Sequence, residues 1–135
     1  MRESITQEFD YGCGVACFAF ALGLTYKQAE GMLGEKQAQS DRFWVKDFTA
    51  ALNRAGKKYE SKHIKPYLYK KLHEDGTIVL VRRSKDYPAG HYLIRYQNYW
   101  MDPWINLPED RSILNAKSGF RKRLPGSPMY VIFAV

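Results

Sequence analysis

Residues 7–24 read Gln7-Glu8-Phe9-Asp10-Tyr11-Gly12-Cys13-Gly14-Val15-Ala16-Cys17-Phe18-Ala19-Phe20-Ala21-Leu22-Gly23-Leu24. From Cys13 onward the run is apolar, rich in Ala and Phe, and too long for an ordinary strand. It predicts a buried helix that closes near Gly23. Gly12 and Gly14 flank Cys13 and predict a close backbone approach where that helix begins, with room for a substrate main chain beside the sulfur. A thiol at a helix N-terminus meets the positive end of the macrodipole and several unpaired N–H groups, and both favour the thiolate, the nucleophilic form. The same N–H groups suit an oxyanion. Gln7 lies six residues upstream of Cys13, and its carboxamide is a second oxyanion donor if the intervening loop folds back. Cys17, one turn further on between Ala16 and Phe18, reads as a buried thiol.

Outward from this segment the pattern stays helical. Thr25 is an N-cap with Gln28 as its capping-box partner, which opens a helix over Tyr26 to Leu33 that stops at Gly34. Residues 35–42 are polar and read as loop. Phe43 to Ala55 carries apolar residues at helical spacing up to Gly56. Lys65 to His73, with Pro66 in its first turn, reads as a short helix. The period then changes. Thr77 to Val81 is a buried strand. Gly90 to Tyr96 and Tyr99 to Trp104 form a hairpin about Gln97-Asn98. Residues 106–128 read mostly as loop with one strand near Phe120, and Met129 to Val135 is a final apolar strand. Helices in the first half and strands in the second predict a single α+β domain over residues 1–135, with N-terminal helices packed on a C-terminal antiparallel sheet.

The hairpin carries the second chemical pattern. With Gln97-Asn98 at the turn, Tyr96 faces Tyr99, Arg95 faces Trp100, Ile94 faces Met101 and Leu93 faces Asp102. Opposed residues share a sheet face, so His91 and Asp102 become diagonal neighbours. A one-residue slip would separate them. A carboxylate bound to imidazole fixes its tautomer and stabilises the imidazolium, which in turn supports a thiolate. Trp100 and Trp104 fall on the same face, either as cleft walls or as core. Asp102 before Pro103 also reads as a turn residue, and His63 and His73, in Lys-rich segments, read as non-catalytic.

Gln7-x5-Cys13-Gly14-x-Ala16-Cys17, then Gly90-His91-Tyr92, then Asp102-Pro103, resemble the double-glycine leader peptidases. These are the papain-like cysteine peptidase domains of bacteriocin-processing transporters, together with stand-alone relatives. The resemblance implies Cys13 as nucleophile, His91 as its proton partner, Asp102 as the acid that orients His91, and Gln7 in the oxyanion hole. Gly12, Gly14, Gly90, Trp100 and Trp104 would contact the substrate. No cofactor and no metal is implied. The His-to-Asp hairpin is shorter than the family's, Gly12 stands where the family has an acidic residue, and no transporter portion follows. A small domain of this kind is a bacterial or phage processing enzyme, or a toxin or effector acting on a host protein. Its partners would be a peptide or protein substrate and an immunity or inhibitor protein. The same machinery also serves deamidation and acyl transfer.

Composition bounds the remaining classes. The chain has 135 residues, 45% hydrophobic and 26% charged, as in a globular protein rather than a disordered one. Its longest apolar stretch, residues 15–24, is half of the ~20 residues a membrane span needs. The N-terminus does not read as a signal peptide, which predicts a cytoplasmic protein or one delivered by another route as a secreted effector. Two cysteines without a second pair cannot make a zinc site alone. The net charge is +7. Lys57-Lys58, Lys70-Lys71, Arg82-Arg83 and Arg121-Lys122-Arg123 read either as solvated surface or, interleaved with tyrosines, as a groove for nucleic acid or an acidic protein without turnover.

Overall fold

A computed structural model describes residues 2–41 and 43–135. Four helices, α1 (Cys13–Leu22), α2 (Tyr26–Leu33), α3 (Glu35–Ala38) and α4 (Val45–Arg54), precede six strands: β1 (Tyr59–His63), β2 (Ile78–Val81), β3 (His91–Tyr96), β4 (Tyr99–Asp102), β5 (Gly119–Arg121) and β6 (Pro128–Ala134). The strands form one antiparallel sheet in the order β1-β6-β2-β3-β4-β5. This is the expected α+β arrangement of N-terminal helices on a C-terminal sheet.

α1 is apolar on every side because every side is covered. Val15, Ala16, Cys17, Phe18, Ala19 and Phe20 are all at most 1% exposed. It ends at Gly23, whose φ of 69° supplies the left-handed closing residue. The Thr25–Gln28 capping box is present in both directions, at 3.1 and 3.0 Å. α4 buries only Val45, Phe48, Ala51 and Leu52. Phe48 ties the layers together, stacked on Phe43 at 4.9 Å and edge-on to Tyr92 at 5.1 Å. The helices cover the sheet face that presents Ile78, Tyr92, Ile94, Met101 and Ile132. On the other face Val79, Val81, Leu93 and Trp100 pack together with Leu72 and Leu124. Leu68 and Leu72 come from the 3-10 segment Pro66–His73, which covers this side of the sheet.

Two parts depart from the sequence reading. Residues 35–38 form a turn of helix where loop was expected, because Gly34 lets α3 follow α2 directly. Tyr59–His63 is a strand that the pattern did not mark. It lies at the edge, paired only with β6, so its residues need no continuous apolar run.

Candidate active site

The hairpin register is the expected one: Ile94↔Met101, Arg95↔Trp100 and Tyr96↔Tyr99. His91 and Asp102 meet across it, with Nε2 at 2.7 Å from Oδ1. Asp102 is fully buried. Its Oδ1 also accepts the Trp104 N–H at 3.0 Å, and its Oδ2 accepts from Arg121 Nη1 at 3.1 Å. Tyr87 stacks on the imidazole at 4.8 Å with the two planes 17° apart.

His91 and α1 lie on opposite faces of the sheet, and a local opening brings them together. β3 and β4 remain paired only as far as Ile94↔Met101. Beyond that pair the Tyr92 N–H is released from β4, and it points at Cys13 Sγ, 3.5 Å away. The thiol at the start of α1 therefore sits in the splay between the strands, against the His91 ring. Since Nε2 is engaged by Asp102, Nδ1 is the ring nitrogen left for the sulfur.

The electrostatics follow from this geometry. Burial alone would lower the His91 pKa, but the hydrogen bond to Asp102, the contact with Cys13 and the charge of each raise it to about 10. Burial pushes the Asp102 carboxyl up, and the His91 bond and charge, the Trp104 N–H and Arg121 outweigh it, holding the carboxyl below its ordinary value. Imidazolium beside carboxylate is thus the resting state of the pair. Cys17 is the opposite case: burial, followed by the nearby Cys13 and Asp102, pushes its thiol well up, as suits a structural side chain. Both cysteines are free.

Gln7 lies in the same cleft wall as Cys13 and His91. The loop after it does fold back: Gln7 Nε2 donates to the Phe9 and Asp10 carbonyls at 2.9 and 3.1 Å. Its own N–H donates to the Pro103 carbonyl at 3.2 Å, which anchors this loop to the end of β4. Gln7 is 2% exposed, and its Oε1 has no hydrogen-bond partner among the described residues. α1 has no side-chain cap, so its first N–H groups are left without a side-chain acceptor.

Of the five residues expected to contact substrate, Gly90 and Trp104 line the cleft, and Gly12, Gly14 and Trp100 do not. A Cβ on Gly14 would lie 2.5 Å from Phe43 Cδ2, and one on Gly12 would strike the Tyr26 hydroxyl. At both positions the space a Cβ would take is already filled by these side chains. Trp100 is 3% exposed in the far-face cluster, with the Arg95 guanidinium 5.3 Å over its ring. Trp104 escapes that fate because the chain turns after Asp102 and carries it round to the cleft. Gly90 has φ 79°, and a Cβ there would meet the Val81 carbonyl at 2.9 Å. Arg121 and Tyr87 were missed. Arg121 stands in a basic run read as surface or nucleic-acid groove, and only the β4–β5 pairing reveals its carboxylate partner. Nothing local marks Tyr87. Among the described residues no group of three or more His, Cys, Asp or Glu is placed to hold a metal, and no helix is long and apolar enough to cross a membrane.

Neither a family model nor a curated protein matches the sequence. Among solved structures the chain is similar to the peptidase domain of Streptococcus ComA, a bi-functional ABC transporter involved in a quorum-sensing pathway. The TM-score is 0.55 at 19% identity, over 96% of this chain and 94% of that one. The fold is that of the ComA peptidase domain, the architecture that the resemblance to double-glycine leader peptidases led us to expect.

Proposed function

We propose that residues 1–135 act as one papain-like domain, a cysteine peptidase with Cys13 as nucleophile, His91 as acid–base partner and Asp102 as the group that orients and charges the ring. The observation that carries this reading is the His91 imidazole held between the Asp102 carboxylate at 2.7 Å and the thiol that opens α1. The similarity of fold to the ComA peptidase domain supports it independently. The proton of Cys13 resides on His91 Nδ1 in the imidazolium, and the sulfur, as thiolate, attacks the carbonyl carbon of a peptide bond. The resulting oxyanion receives the Cys13 N–H and one hydrogen of the Gln7 carboxamide, drawn from the longer of its two loop bonds because an anion is the stronger acceptor. Collapse breaks the C–N bond, and the His91 proton leaves with the amine. Water, deprotonated by His91, hydrolyses the thioester, and the C–S bond breaks to release the acid and restore the thiolate beside imidazolium. Tyr87 holds the ring face throughout.

The experiment pairs two measurements. Iodoacetamide should alkylate Cys13 much faster in the wild type than in His91→Ala, with Cys17 unmodified in both. Wild type incubated with a proteome should generate new peptide termini that Cys13→Ala does not. Equal alkylation rates would remove the catalytic pairing. Identical termini alongside a reactive, His91-dependent Cys13 would move the reading to the acyl-transfer or deamidation chemistry that shares the thioester.

A further inference from the structure

The cleft that contains Cys13 and His91 measures about 1210 Å³ and extends well past them. From the sulfur it crosses the helix-covered face of the sheet along one row of paired residues. Tyr92 on β3 faces Leu80 on β2, Leu80 faces Tyr130 on β6, and Tyr130 faces His63 on β1. All four line the cleft. Tyr130 and His63 are in ring contact, with centroids 4.1 Å apart. Phe43 and the half-exposed Trp44, at the entrance to α4, line it from the helical layer. Neighbouring strands lie about 4.8 Å apart, so three intervals make a floor about 14 Å long, the reach of about four residues of extended chain.

The charge lining this space is unbalanced. Lys46, Lys62, Arg82 and Arg83 contribute to its wall, against Asp10 and Asp41. All four cations are exposed. Among the described residues none of them has an ion-pair partner, although Lys27, Lys71, Arg111 and Arg121 do. Unpaired cations around a largely apolar groove attract and orient an anionic occupant. Arg82 follows β2 directly, one residue past Val81, which pairs with His91, and Lys46 lies in the first turn of α4 beside Trp44, so both stand along the lip of the floor; Lys62, paired with Val131, alternates away from the His63 side of β1.

We propose that the natural occupant of this cleft is an extended acidic peptide. About four apolar residues on one side of its reacting bond lie on the Tyr92–Leu80–Tyr130–His63 row, and one or more Asp or Glu side chains flanking them meet the unpaired Lys46 and Arg82 along the lip. This rests on the peptidase reading for the position of the reacting bond, while the charge preference stands on the cleft itself.

The test uses Cys13→Ala protein, so that nothing is turned over. Three fluorescent peptides share one apolar sequence and carry, at its flanking positions, two glutamates, two glutamines or two lysines. Fluorescence anisotropy at low salt should rank the affinities glutamate, glutamine, lysine, with about tenfold between the extremes and a gap that narrows as salt is raised. Lys46→Glu combined with Arg82→Glu should reverse the order. Both positions are exposed, and a thermal melt checks that the variant folds. Three equal affinities, no binding by any peptide, or an order unchanged by the double substitution would overturn the inference. The peptidase reading has its own readout in the His91 dependence of Cys13 alkylation. A flat ranking with a reactive thiol removes only the acidic-peptide inference, and a clear ranking with an unreactive thiol removes only the peptidase.

Discussion

Asp102→Asn preserves shape and removes one charge, so it isolates what the buried carboxylate does for His91. In the wild type the imidazole is raised from 6.5 to about 10. At about 1.4 kcal/mol per unit this places the net support of the imidazolium on the order of 5 kcal/mol. Burial opposes it, and the support comes first from the Asp102 hydrogen bond, then from Cys13, then from the two charges. An opposite charge in contact typically accounts for about 1–3 units, so removing the Asp102 charge weakens the charged pair by about tenfold or more. An asparagine oxygen can still accept from Nε2, but the amide nitrogen would then face the Arg121 guanidinium, a donor opposed to a donor. Alkylation by iodoacetamide at pH 7, read site by site by mass spectrometry, should therefore slow at Cys13 by about tenfold or more in Asp102→Asn. Cys17 is 0% exposed and provides the internal control, since its alkylation would reveal an unfolded variant. A folded Asp102→Asn protein that reacts at Cys13 within about threefold of the wild type would refute the reasoning, because the carboxylate would then contribute less than about 0.7 kcal/mol.

Two further outcomes follow from the same contacts. The His91 pKa is raised in the folded state, so its stabilisation is complete below 6.5 and is lost as pH rises through about 10. The Asp102 pKa is lowered, so its stabilisation is complete above 3.8 and is lost as pH falls through the depressed folded value. These describe one shared contact, and urea midpoints should plateau between those limits and decline on the alkaline side; His91→Ala should flatten that decline. Gly14→Ala should lower stability by about 1–3 kcal/mol in urea unfolding, because the added methyl lands 2.5 Å from a Phe43 ring already stacked on Phe48. Alanine is the better helix former by about 1 kcal/mol, so a stabilised variant would mean that this glycine has no packing role.

The path from sequence to site can be followed residue by residue. α1 was legible because ten consecutive residues carry the pattern of a helix buried all round. The hairpin was legible because Gln97-Asn98 sets its register, and that register alone puts His91 beside Asp102. Both rest on interactions a few residues apart. Tyr59–His63 was not legible, because its pairing partner is β6, at the other end of the chain, and an edge strand leaves little apolar trace. Trp100 and Trp104 share one alternation in sequence but end on different surfaces, because the chain turns after Asp102 and alternation holds only while a strand stays straight.

The amino-acid sequence by itself determined the local elements and which residue types they carry: a thiol opening a buried helix, an imidazole and a carboxylate on one hairpin face, and a carboxamide upstream. Tertiary structure alone decided how these meet and what supports them. The opening between β3 and β4 lets a sulfur from one face of the sheet reach a ring on the other. β5 brings Arg121 to Asp102, and the stacking of Tyr87 closes the ring. β6, inserted between β1 and β2, lays down the row of side chains that lines the cleft. The reason is physical. Periodicity and turn chemistry act over a few residues, whereas strand order, the place where two strands part and the partner of a buried charge depend on chain segments distant in sequence, whose contacts leave no mark on either segment alone.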